Sequence, residues 1–365
     1  MSSISGIEKR AASSRVRGLT IDPLQIRSAV ERWFMFSDYG PAAQRQMAMV
    51  WSSVLVCILA DAICLPGSRL SFASSNWTTL ILCLAYSAFT AVFITVASSR
   101  LAADQRRAAV VLRSVLLVTE LLWRAVLPIG ALLIAGSTLS YVITAADLPL
   151  RDNVLADVDH LLGFDWPGFL RATNASSLVA TLLTKAYQAT GPITQLVLLW
   201  LVLRRRGDRL AEFMAVLSLS TVALCIVMWL VPAAGASVYF KPAPQLYGNF
   251  AVFGEMWSFS RTFAALRDGA LSVVDISSID GVVSFPSFHT MLGVMTIYAA
   301  RDTRWLMIPV LIVNGIMILA TMPVGGHHLS DVLAGAALTI GAILLARRQT
   351  TSVPIPQRDT PPAGA

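Results

Sequence analysis

An all-α integral membrane protein with about eight transmembrane helices is the fold class this sequence predicts, and three observations carry that expectation. Of its 365 residues 56% are hydrophobic and only 13% charged, where a soluble domain carries about 25% charged residues. The mean hydropathy is +0.67. The apolar residues gather into eight stretches, roughly 47–65, 77–97, 110–145, 177–203, 210–232, 284–300, 304–322 and 328–346, each near or above the ~20 residues needed to cross a bilayer core.

Residues 1–46 are polar and hold seven Lys and Arg. No small-residue cleavage site follows a short apolar run, so a removable signal peptide is not expected. From Ile26 to Phe36, Val30, Trp33 and Phe34 alternate with Arg27, Glu31 and Arg32, the pattern of a helix lying along a membrane surface. The third apolar stretch is too long for one straight span and contains Pro128, so a kink or an extension beyond the membrane is expected. The Pro-rich tail from Gln349 reads as disordered. Cys57, Cys64, Cys83 and Cys225 all fall inside spans and read as small apolar side chains without disulfides.

Charge gives the orientation. With a cytoplasmic N-terminus, 20 of the 28 Lys and Arg lie on the cytoplasmic side, six on the outer side, and Arg124 and Lys185 within spans. The bias recurs at every loop, which places both termini in the cytoplasm. The net charge of +7 is then topology and contact with anionic lipid, and no nucleic-acid partner is expected. An Arg-heavy composition of 25 Arg against 3 Lys suggests a bacterial inner membrane.

Two outer loops follow from this topology. Residues 146–176 carry Asp147, Asp152, Asp157, Asp159 and Asp165, with Leu155, Val158 and Leu162 on one helical face, and should lie along the outer interface. Residues 233–283 are rich in Pro, Gly, Tyr and Phe and carry Lys241, Arg261 and Arg267. Within the spans, Glu120 and Arg124 are four apart and should pair. Asp61 and Glu212 sit near span ends and should reach water.

Chemistry concentrates in two short constellations on the outer side. Ser284-Phe285-Pro286-Ser287-Phe288-His289 opens the sixth stretch. Pro at a helix start leaves free amides that, with the helix dipole, bind phosphate. Ser287 adds a hydroxyl and His289 a titratable group, although an N-capped span with an interfacial His fits the same letters. Gly325-Gly326-His327-His328-Leu329-Ser330-Asp331 opens the eighth stretch. His327 and Asp331 share a helical face, so the carboxylate can fix one imidazole nitrogen and make the other more nucleophilic. The glycines permit close backbone approach to a ligand. A polar interfacial turn, or chelation of a metal by His327, His328 and Asp331, remains an alternative.

Pro286-Ser287-x-His289 followed by His327-x-x-x-Asp331 resembles the second and third motifs of the type 2 phosphatidic acid phosphatase superfamily, over roughly residues 107–348. The resemblance implies a six-helix core preceded by two additional helices at 47–106, with 1–46 and 349–365 as flanking segments. It implies that His327 attacks phosphorus to form a phosphohistidine, that Asp331 orients it, and that His289 acts as general acid and then base. It also implies phosphate contacts from Ser287, Ser284 and Gly326, and no metal or cofactor. The superfamily's Lys-x6-Arg-Pro motif is absent, Ala320 and Thr321 stand where Ser-Arg is usual, and Phe288 replaces a Gly. With those basic residues missing, the chain is similar to the inositol phosphorylceramide synthase branch, which Leu162–Trp166 and Val231–Gly235 also resemble. Arg267, then Lys241, are the favoured replacement cations, with Lys185 beside Tyr187 and Gln188 a further one.

The expected activity is transfer of a phosphate or phospho-headgroup at the periplasmic face, with a phospholipid or polyprenyl phosphate as substrate and water or a lipid hydroxyl as acceptor. Phosphatidic acid or polyprenyl (pyro)phosphate hydrolysis is the alternative within that chemistry. A lipid transporter using Glu120, Arg124 and Lys185 is the alternative outside it.

Overall fold

The computed structural model describes residues 31–351 except 253 and 255. The start of the expected surface helix at 26–30 and the tail beyond 351 lie outside the described residues. Every apolar stretch is helical. The membrane-type helices are α1 (Pro41–Cys64), α2 (Ser74–Leu101), α3 (Arg107–Ala145), the pair α6 (Ser177–Gln188) and α7 (Thr190–Leu203), α8 (Gly207–Leu230), α12 (Phe288–Ala300), α13 (Arg304–Ala320) and α14 (Leu329–Thr351). Between them lie the outer-loop helices α4 (Asp152–Leu161), α5 (Trp166–Asn174), α9 (Ala236–Phe240), α10 (Gly248–Ala251) and α11 (Phe259–Asp268).

Eight full-length spans are not what forms. Among the described residues five helices, α1, α2, α3, α8 and α14, are long and apolar enough to cross a membrane, and α6 with α7 makes a sixth bent by 46°. The bend has a local cause: Pro192 lacks an N–H, and its ring crowds the carbonyl four residues back, at Gln188, where α6 ends. Helix α12 has 13 residues and α13 has 17, about 20 and 26 Å at 1.5 Å per residue. The expected sixth span is shortened because residues 284–287 form a loop and cap that build the site. Helix α3 runs unbroken through Pro128 for 39 residues, about 58 Å, so the extension and not a break accounts for its length. Helix α14 continues through Thr351, two residues past the expected start of the tail.

Helix α8 is the axis of the bundle. Of its most apolar window 61% is buried, against 6% for α2, and it packs against α1, α3, α7, α12 and α14. A helix apolar on all faces needs such a central place. Helix α2 packs chiefly on α3. A two-residue parallel ladder joins β1 (Ser71–Phe72) to β2 (Val273–Val274). Buried Asn76 extends it, donating to the Val274 carbonyl at 2.7 Å and accepting from the Ile276 amide at 3.1 Å. That tie anchors the loop that precedes the first constellation.

Arg124 and Glu212 are paired within the helices, whereas Asp61 in α1 has a buried oxygen, Oδ1, without a hydrogen-bond partner among the described residues. Arg124 makes a two-pronged contact with Asp38 at 3.0 and 2.5 Å, faces Glu120 at 3.6 Å and lies 4.3 Å over the Phe36 ring. Arg32 closes on Glu120 at 3.2 Å. Glu212 does not reach water. It is buried and takes Arg209, Arg301 and the Tyr298 hydroxyl at 2.5, 2.7 and 2.6 Å. The four cysteines are free thiols, Cys57 and Cys225 buried and Cys64 and Cys83 exposed.

Removing one partner from a buried pair leaves an uncompensated charge, which costs about 3–5 kcal/mol. Arg124→Leu is therefore expected to lower stability by about 3 kcal/mol, and adding Glu120→Gln to recover part of it. Thermal unfolding of the purified protein in detergent measures both.

Candidate active site

The two constellations meet because their backbones are built to touch. The Ser287 amide donates to the Asp331 carbonyl at 3.0 Å. One turn on, a Cβ at Gly335 would come within 2.6 Å of the Ser287 carbonyl, so only glycine lets α14 approach the start of α12 this closely. The Ser287 hydroxyl caps α12 by accepting from the Thr290 amide at 3.4 Å and the Thr290 hydroxyl at 3.2 Å.

His327 precedes α14 with Nδ1 3.2 Å from Asp331 Oδ2. Both residues are buried. The same oxygen accepts the His328 amide at 2.9 Å, so Asp331 fixes both the ring and the backbone of the turn. With Nδ1 facing the carboxylate, Nε2 is the nitrogen left for chemistry. The turn itself is held by carbonyls: Thr321 accepts from the His327 amide, Met322 from the Trp166 indole at 3.1 Å and Pro323 from the Trp257 indole at 3.1 Å. His289 stacks on Tyr187, ring centroids 4.3 Å apart, with its Nδ1 3.3 Å from the Tyr187 hydroxyl.

His289, His327, Tyr187 and Gly325 line one cavity of about 250 Å³. Its other walls are α3 (Leu132, Leu133, Gly136, Ser137, Ser140), α8 (Thr221, Leu224), Phe259, Phe288 and the segment Ile279–Val283. Gly136 opens the α3–α8 seam, where a Cβ would meet the Thr221 methyl at 2.7 Å. The arrangement offers two imidazoles, one carboxylate-backed, at the end of a slot with leucine walls.

The structure thus brings His289, His327 and Asp331 together, and none of the other expected phosphate contacts lines the cavity. Ser284 and Ser287 are buried behind the wall. Gly326, at φ +72°, turns its carbonyl to the Ser237 amide at 3.2 Å, leaving Gly325 to line the cavity. Arg267 is not brought there. Its guanidinium bonds Asp147 at 2.6 Å and the Leu148 carbonyl at 2.9 Å. Lys241 is exposed at the end of α9, and Lys185 reaches Gln188 at 3.5 Å. No Lys or Arg lines the cavity among the described residues. His327, His328 and Asp331 do not converge as a chelating set either: the His328 ring points away from the pair, and no metal-type cluster forms among the described residues.

What the sequence reading missed is helix α4. It does not bury Leu155, Val158 and Leu162, since Val158 and Leu162 are exposed. Its inner face is Asp152, Leu155, Ala156 and Asp159. Asp152 accepts the Ala234 and Gly235 amides at 2.9 and 2.8 Å. Asp159 accepts the Leu329 and Ser330 amides at 2.9 and 2.8 Å. Between them lies fully buried His328, 3.6 Å from Asp152 and 3.3 Å from Asp159. The i, i+7 spacing of the two acids around an apolar pair was the available signal.

A family model described as the PAP2 superfamily matches residues 153–345, more than half of the chain. The chain belongs to the PAP2 superfamily. No match is found among curated proteins or among solved structures. The matched segment opens one residue into α4 and closes inside α14, so Asp159 and both His-bearing constellations lie within it, and Asp152 stands just before it. The protein is a membrane phosphatase-type member of that superfamily.

Burial disfavours the His328 cation, but Asp152 and Asp159 outweigh it and push its pKa up to about 9 from an ordinary 6.5. Burial likewise works against the Asp159 anion, and His328 with the Ser330 and Leu329 amides holds it below the ordinary value. A raised pKa means that the folded state holds the proton more tightly. This stabilisation is complete below pH 6.5 and is lost as pH rises through about 9. Thermal midpoints should therefore fall across that window. In His328→Gln the midpoint should start lower and lose that slope.

Proposed function

We propose that this PAP2 protein transfers phosphoryl or phospho-headgroup units from a lipid phosphate at the outer, periplasmic face of a bacterial inner membrane, through a phosphohistidine. The observation that carries this reading is that His289 and His327 line the same cavity while Asp331 backs only His327. One imidazole is thus oriented as a nucleophile, and the other is left to move a proton.

His327 Nε2 attacks phosphorus as the bond to the leaving oxygen breaks, and His289 gives that oxygen its proton. An acceptor hydroxyl then loses its proton to His289 and attacks phosphorus, the P–N bond breaks, and His327 is restored. Tyr187 holds the His289 ring by stacking and by its hydroxyl. The leucines of α3 and α8 accommodate the lipid chain while phosphate meets the imidazoles. The outer location rests on the sorting of 20 of 28 basic residues to the other face.

Headgroup transfer of the inositolphosphotransferase type, with a lipid hydroxyl as acceptor, is favoured over hydrolysis of a phosphomonoester. A cavity without Lys or Arg among its described lining residues is poorly equipped for a dianion, whereas a phosphodiester carries one charge.

Purified protein incubated with labelled phosphatidylinositol, phosphatidic acid or polyprenyl pyrophosphate, with ceramide or diacylglycerol as acceptor, tests the reading. A new labelled lipid is the expected product; release of free phosphate alone would make the protein a phosphatase. His327→Ala should abolish both turnover and the trapped phosphohistidine. His289→Ala should slow turnover by about 10²–10⁴-fold. Full activity in His327→Ala would end the reading.

A further inference from the structure

The cavity contains one carboxylate that the chemistry above does not use. Asp280 lies in the wall segment Ile279–Val283, part of the loop that leads into the first constellation. Its backbone amide donates to the hydroxyl of buried Tyr141 on α3 at 2.7 Å. Its Oδ2 accepts from the Thr262 hydroxyl on α11 at 2.6 Å. Two separate elements therefore fix this acid in place, and Asn76 anchors the same loop upstream. Its Oδ1 accepts no hydrogen bond among the described residues, and the side chain is open to solvent.

A fixed carboxylate in such a wall has two effects on what binds. It repels a phosphomonoester dianion about twice as strongly as a phosphodiester monoanion at equal distance, and no Lys or Arg in the described lining offsets it. It also presents a strong acceptor to any O–H or N–H on the group esterified to phosphorus.

We propose that Asp280 is a specificity-determining residue that reads hydrogen-bond donors on the polar headgroup of a phosphodiester lipid. The inference rests on the phosphoryl-transfer reading and adds to it the feature that selects among lipids. The donor is either a hydroxyl of a polyol headgroup or the ammonium of an amino headgroup, and two substitutions separate them. Asp280→Asn removes the charge and keeps an acceptor, whereas Asp280→Ala removes both.

The test compares kcat/KM of the wild-type protein, Asp280→Asn, Asp280→Ala and Asp280→Glu on four lipids: phosphatidylinositol, phosphatidylglycerol, phosphatidylethanolamine and phosphatidic acid. For a polyol headgroup, Asp280→Ala should lower the ratio of diester to phosphatidic acid turnover by about tenfold, and Asp280→Asn by less. For an ammonium headgroup both should lower it equally. Asp280→Glu should recover part of the preference in either case. Parallel loss on all four lipids, as a purely structural role would give, overturns the inference, and so does an unchanged ratio. A wild-type protein that forms a phosphohistidine but prefers phosphatidic acid overturns this inference alone. A wild-type protein inactive on all four, with no phosphohistidine, overturns the underlying reading as well.

Discussion

The site depends on two carboxylates that bind backbone. Asp152 and Asp159 of α4 together accept four main-chain amides, at Ala234, Gly235, Leu329 and Ser330. Those amides belong to the loop after α8 and to the first turn of α14. Helix starts leave such N–H groups without intrahelical partners, and a buried amide without an acceptor is costly. The short helix α4 thus satisfies the ends of two others and sets where they stand. His328 fills the space between the acids as a cation, which offsets part of the cost of burying two anions so close together. His327 and Asp331 flank His328 in sequence, so the reactive pair is placed by what its neighbour does.

A second constraint is steric. Gly335 and Gly136 each stand where a Cβ would collide, with the Ser287 carbonyl and the Thr221 methyl respectively. One lets the two His-bearing helix starts come together. The other leaves room along the α3–α8 seam for the cavity that both histidines share. Close packing of protein interiors leaves no slack for a methyl at either place.

Much of this was legible in the sequence. Composition and the eight apolar stretches gave every membrane helix its place, because length and hydropathy are what a bilayer selects for. The pairing of His327 with Asp331 followed from a four-residue spacing. Less legible were contacts between distant segments. Arg267 and Lys241 were plausible phosphate ligands until Asp147 turned out to hold the first, and α9 to end with the second exposed. Glu212 looked like a span-end residue able to reach water, yet Arg301 and Tyr298, at the end of the neighbouring helix α12, enclose it. Charge alone does not say which partner folding will supply.

The sequence by itself determined that the chain is helical, that it belongs in a membrane, and which two short constellations carry the histidines that meet. All of these depend on residue type and short-range spacing, which survive without knowledge of the fold. Only the tertiary structure decided that α4 points its acids inward, that Tyr187 stacks on His289, that the cavity has leucine walls without a described Lys or Arg, and that Asp280 stands in its rim. Those facts join residues 82 to 171 positions apart. Which distant groups meet is settled by the packing of whole helices, and no local pattern records it.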